Sequence, residues 1–126
     1  MDSQDKQSRF GFLRSFSYAF AGIVTALRDE KNMRFHLYSS IVVLLFSYYF
    51  SITKTEWLFV IFAIGGMFAL ELVNSAIERV VDLVTIEYHP LAKQAKDLAA
   101  GAVFVYALLS IAIGLVIFLP YILKLF

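Results

Sequence analysis

Glu71, Asn74, Glu78 and Asp82 recur at steps of three and four in the segment ELVNSAIERVVD, inside a stretch that is otherwise apolar. On a helix turning 100° per residue they fall within roughly 80° of one another and form one polar stripe. A charged group at bilayer depth costs about 2.5–3.5 kcal/mol, so the stripe marks a functional site whose partners lie on other helices or on a ligand. Glu78, together with Glu30 in the cluster RDEKNMR, offers hard oxygen ligands. Two carboxylates with phosphate oxygens and water suit Mg²⁺ better than a dedicated protein cage. The plainer account pairs Glu78 with Arg79 or Lys96 and makes Glu30 a solvated helix end. Glu71 lies two turns deeper, about 10 Å along the helix. That drier position suits a general base taking a proton from a hydroxyl at the lipid interface; the alternative is a buried Glu hydrogen-bonded to another helix. Asn74, between them, could orient the base or a phosphate, or act as interhelical glue.

Lys96 and Asp97 open the next apolar segment. A Lys there could neutralise phosphate charge and an Asp could bond a ribose hydroxyl, although snorkelling and helix capping explain the same pair. His89 has no second His at metal-ligand spacing, His36 belongs to a different segment, and Cys is absent. A zinc or disulfide framework is therefore not expected. The sequence contains no GxxxxGK[ST], no GxGxxG followed by a kinase Lys, and no HRD or DFG triplet. Phosphate chemistry, if present, uses neither common nucleotide fold.

The elements that must position these residues are membrane helices. The chain of 126 residues is 60% hydrophobic, above the soluble norm of about 45–50%, with thirteen Phe and seven Tyr against one Trp. A formal net charge of +1 hides segregation, because charges crowd into residues 1–34, 71–97 and position 124. The N-terminus MDSQDKQSRF is polar and no small-residue cleavage site follows the first long apolar run, so that run is expected to stay in the mature protein.

Residues 8–30 carry Phe12, Phe16, Ala19, Phe20, Ile23 and Leu27 on one side and Arg14, Ser15 and Tyr18 on the other, the pattern of an amphipathic helix in the headgroup layer. Gly11 and Gly22 are expected at its start and at a bend. Spans are expected at about 35–52, 57–84 and 98–119, after an interfacial stretch 1–30, in one integral membrane domain. Lys54 and Glu56 supply a polar turn, Trp57 an interfacial anchor, Pro90 a helix restart and Pro120 a stop. Arg9, Arg14, Arg28, Lys31, Arg34, Arg79, Lys93 and Lys96 against Lys54 and Lys124 put the N-terminus, the second connector and the stripe in the cytoplasm. The expected fold class is an all-α membrane protein, an interfacial helix plus three transmembrane helices. Three helices barely enclose a site, which points to a homo-oligomer in which a neighbour covers the stripe.

ELVNSAIERVVD followed by EYHPLAKQAKD closely resembles the signature of the prokaryotic diacylglycerol kinase family, over essentially the whole chain. The resemblance implies a homotrimer in the bacterial plasma membrane. It would transfer the ATP γ-phosphate to a membrane lipid alcohol with Mg²⁺, at cytoplasmic active sites shared between protomers. It makes Glu71 the general base, gives Glu30 and Glu78 to magnesium, and has Asn74, Lys96 and Asp97 hold ATP, with Tyr18, Glu87, Tyr88 and His89 lining its pocket. No nucleic acid partner is implied. Two positions depart from the enterobacterial pattern: Pro90 follows the His where an acidic residue is usual, and Gly11 falls near the family's N-terminal Arg, a charge that Arg14 or Arg9 could supply. The Pro-containing form is similar to the Gram-positive branch of undecaprenol kinases. Undecaprenol is therefore the expected acceptor, diacylglycerol the alternative, and a non-enzymatic scaffold or pore the remote one.

Overall fold

A computed structural model of the chain describes residues 3–126, so the first two residues of the expected interfacial stretch lie outside the described residues. Four helices follow one another: α1 (Ser3–Asp29), α2 (Lys31–Tyr49), α3 (Lys54–Val84) and α4 (Pro90–Leu123). The described residues contain no strand.

One residue separates α1 from α2. Glu30 is extended, with φ −118° and ψ 121°. The joint is fastened by Arg34, whose Nη1 donates to the carbonyls of Leu27 at 3.0 Å and Arg28 at 2.7 Å. These carbonyls sit at the end of α1, where intrahelical partners are lacking and the helix dipole favours a cation. N-terminal to Thr25 the α1 side chains described are exposed, and Ala26 is the buried contact with the bundle. Neither Gly11 nor Gly22 interrupts α1, which begins at Ser3.

The turn from α2 to α3 uses Ser51 at φ 49°, the left-handed region that side chains other than Gly rarely adopt. Thr53 then caps α3: its Oγ1 accepts from the Glu56 N–H at 3.2 Å, and Glu56 Oε1 accepts from the Thr53 N–H at 3.0 Å. The same carboxylate accepts from Tyr121 Oη at 2.6 Å, tying the start of α3 to the end of α4. Around this end Ile52, Val60 and Ile117 are buried beneath Val43, Phe50, Trp57 and Phe118.

α3 packs most extensively against α4. Their close approach is marked by Tyr106, whose hydroxyl donates to the Phe62 carbonyl and lies over Gly66, where a Cβ would collide with the phenol. Most large apolar side chains face outward, among them Leu45, Phe46, Phe59, Phe62, Phe104 and Val105. An apolar exterior of this kind suits lipid or a neighbouring chain.

Three helical stretches are long and apolar enough to cross a membrane: Lys6–Asp29, Lys54–Val84 and Pro90–Leu123. α2 is not among them, because Lys31, Asn32, Arg34 and His36 occupy its first turns. The expected span 35–52 falls on α2 as far as Tyr49, and Phe50–Ile52 belong to the turn. α4 starts at Pro90, eight residues before the expected span, since its first two turns are polar yet helical. Pro120 lies inside α4, which continues to Leu123. So close to a helix end the lost N–H and the displaced carbonyl are tolerated.

Candidate active site

The stripe on α3 faces the α1–α2 joint. Glu71, Asn74 and Ser75 are buried, while Glu78 and Asp82, one and two turns nearer the end of the helix, are exposed. The five residues line a pocket of about 410 Å³ closed on the other side by Asp29, Glu30, Lys31 and Asn32. Five carboxylates against Lys31 and Arg79 give its walls a formal excess of three negative charges. A polyphosphate would be repelled by such walls unless a cation lay between them.

Glu30 is held on both oxygens. Ser75 Oγ donates to Oε2, and Arg79 Nη1 lies 2.9 Å from Oε1. Arg79 also reaches Asp29, with Nη2 3.6 Å from Oδ2. Asn74 Nδ2 lies 3.5 Å from Glu78 Oε1, at the limit of a hydrogen bond, and Asn74 Oδ1 is buried without a partner. An orphaned acceptor in a carboxylate-rich pocket fits a cation or its water. Among the described residues no three His, Cys, Asp or Glu side chains form a ready-made metal cage. Glu30 and Glu78 are carboxylates from the pocket's two sides that could contribute oxygen ligands to a cation.

The expected site residues therefore divide. Glu30, Glu71, Asn74 and Glu78 meet in one pocket. Lys96 stands at its rim, its Nζ 2.6 Å from Asp82 Oδ1. Tyr18 lies next door in an apolar groove of about 460 Å³ between α1 and α3, which shares Ser75 and Arg79 with the polar pocket. Asp97 pairs with Lys93 at 2.6 Å and lines a separate groove with Leu70 and Gln94. Glu87, Tyr88 and His89 sit exposed on the connector. His89 Nδ1 accepts from the Leu91 N–H at 3.1 Å, as an N-cap group does.

Sequence reasoning missed three participants. Ser75 and Arg79 fall to one side of the stripe, yet both reach Glu30, and Arg79 is bound there rather than to Glu78. The ELVNSAIER segment placed them one turn apart, but only the position of α1 says what they touch. The third is His36, whose Nε2 lies 3.7 Å from Glu71 Oε2. Its only sequence signal was a polar residue on an apolar helix.

Comparison with known proteins identifies the family. The family described as prokaryotic diacylglycerol kinase matches residues 17–118. The chain is 48% identical over 121 residues to undecaprenol kinase of Bacillus subtilis, covering 95% of this chain and 98% of that one. It is 39% identical over 117 residues to a diacylglycerol kinase of Synechocystis sp., covering 90% and 65%. It is 31% identical over 93 residues to a diacylglycerol kinase of Haemophilus influenzae, covering 74% and 79%.

Proposed function

The chain belongs to the prokaryotic diacylglycerol kinase family, and we propose that it is a lipid kinase transferring the γ-phosphate of ATP to the primary hydroxyl of undecaprenol. The observation that carries the chemistry is the graded pocket: a buried carboxylate, Glu71, shares one wall with exposed Glu78 and faces Glu30. Undecaprenol rather than diacylglycerol follows from the relative named undecaprenol kinase, aligned along nearly the whole of both chains.

In this reading Glu71 takes the hydroxyl proton as the oxygen attacks phosphorus. Phosphoryl transfer asks a protein mainly for positioning and charge stabilisation, which the remaining residues provide. Glu30 and Glu78 would hold Mg²⁺ from opposite walls. The bound ion would supply the positive charge that lets polyphosphate enter an acidic pocket. Asn74 would orient a metal-bound water through the unpartnered Oδ1, or the γ-phosphate through its Nδ2 donor. Lys96, released from Asp82, reaches toward phosphate as a point charge. Glu87, Tyr88, His89 and Asp97 are assigned to the nucleotide, whereas Tyr18 lines the groove beside the acidic pocket. The apolar groove between α1 and α3 runs to Ser75 and Arg79 and suits the isoprenoid end of the acceptor.

We assign α1 to the cytoplasmic headgroup layer, with α2, α3 and α4 crossing the membrane and the pocket opening to the cytoplasm. The support is that α1 meets the bundle near Ala26 while its N-terminal part stands away from it. The 19 residues of α2 extend about 28 Å, close to the hydrocarbon thickness of about 30 Å, so its polar first turn reaches the headgroup boundary. A homotrimer with shared sites accounts for the division of the site residues: a neighbouring copy can bring Asp97 and the connector to a pocket they do not line in their own chain. The test is a radiolabelled ATP assay with undecaprenol and diacylglycerol competing in one bilayer mimic. Phosphate should go predominantly to undecaprenol. Predominant phosphatidic acid would favour diacylglycerol as acceptor, and no phosphorylated lipid would end the kinase reading.

A further inference from the structure

A base that takes a proton on every turnover must also lose it, and the Glu71 side chain is only 3% exposed. The titratable side chain facing it from α2 is His36, with Nε2 3.7 Å from Glu71 Oε2. This is a few tenths of an ångström beyond a hydrogen bond, a gap that side-chain rotation closes; catalytic hydrogen bonds are often long before substrate arrives. The imidazole ring meets that of Phe35 edge-on at 5.7 Å. His36 and Glu71 also stand where two spaces adjoin. Glu71 lines the acidic pocket, whereas His36, with Ser39 and Met67, lines an apolar cavity of about 440 Å³ between α2, α3 and α4. At 17% exposure the His36 side chain keeps more contact with its surroundings than the carboxylate does.

We infer that His36 is the proton relay of Glu71, a positioning residue that acts through the carboxylate and does not touch the lipid. The inference rests on the kinase reading given above. As the hydroxyl O–H bond breaks, Glu71 takes the proton, the alcohol oxygen bonds to the γ-phosphorus, and the bond from that phosphorus to the bridging oxygen breaks. ADP leaves with the electron pair. Protonated Glu71 then passes its proton to the Nε2 lone pair of neutral His36, which restores the carboxylate and leaves an imidazolium. The imidazolium releases the proton to water, so one proton leaves per phosphate transferred. Chains of carboxylate and imidazole are a usual means of moving protons at bilayer depth. Asn32 lines the same pocket as Glu71, but an amide cannot accept the proton.

Rapid-quench measurement of phosphate transfer, on the full-length oligomer in lipid–detergent micelles, separates this role from a structural one. In H36A and H36Q the first turnover should proceed at the wild-type single-turnover rate, giving a burst of one phosphorylated lipid per site. Steady-state turnover should fall at least tenfold. Imidazole added to H36A should restore the steady state, whereas pyrazole, of the same shape but a far weaker base, should not. An unchanged steady state, a burst that falls along with it, or equal rescue by pyrazole would overturn the relay. E71Q run beside these variants should give no burst. Normal E71Q turnover would sink the kinase reading itself, while inactive E71Q beside fully active H36A would sink only the relay.

Discussion

Replacing Arg79 by Ala should make the enzyme less demanding of magnesium. In the structure both oxygens of Glu30 are already engaged, one by Ser75 and the other by Arg79 at 2.9 Å. The guanidinium competes with a metal ion for that carboxylate, and its positive charge also opposes a cation in the same pocket. The ion pair is partly wet, with side-chain exposures of 50% for Arg79 and 19% for Glu30. Solvent screening therefore holds its worth to about 1 kcal/mol, near the top of the range for exposed pairs. The more distant contact with Asp29, at 3.6 Å, adds little. About 1 kcal/mol is roughly a fivefold change in an equilibrium constant. The magnesium concentration giving half-maximal rate, measured at saturating ATP and lipid, should accordingly fall about fivefold in Arg79→Ala. Thermal stability should drop by a comparable free energy, because the joint between α1 and α3 is loosened. Arg79→Lys, which keeps the charge with a single donor group, should lie between. A magnesium requirement that rises or stays constant would refute the reasoning and make Arg79 a partner of the metal–nucleotide complex instead of its competitor.

Glu78→Ala should act in the opposite direction, raising the magnesium requirement at least tenfold in the same titration; an unchanged titration would remove Glu78 from the metal site. Gly66→Ala places a Cβ against the Tyr106 phenol, so α3 and α4 must separate or lose the hydrogen bond to the Phe62 carbonyl. Overpacking of that kind costs about 1–3 kcal/mol. It should appear as a lower unfolding midpoint that Gly66→Ala combined with Tyr106→Leu partly recovers, and a midpoint equal to wild type would contradict the contact.

How much of this was legible from the residues depends on whether the information is local. The stripe on α3 follows from helical periodicity alone, and Pro90 restarts a helix because proline suits a first helical position. Helix ends were less legible, since apolarity tracks the membrane while helices run beyond it. The polar turns containing Lys93 and Lys96 are helical for that reason, and α2 stops at Tyr49 because a left-handed Ser51 turns the chain among residues that still look apolar. Partners across helices were least legible. Arg79 and Lys96 were both candidates for Glu78, but the packing of α1 and α4 sends Arg79 to Glu30 and Lys96 to Asp82. His36 read as a lone polar residue until α2 was laid beside Glu71.

In the proposed reaction Glu71 is the base that activates the lipid hydroxyl. The most direct measurement is turnover of purified Glu71→Gln with ATP, magnesium and undecaprenol, beside a check of oligomer size and nucleotide binding. The amide keeps the shape of the carboxylate but cannot take the proton, so phosphoryl transfer should fall by a factor of about 10² or more while assembly and ATP binding persist. Wild-type turnover by the Gln variant would contradict the account.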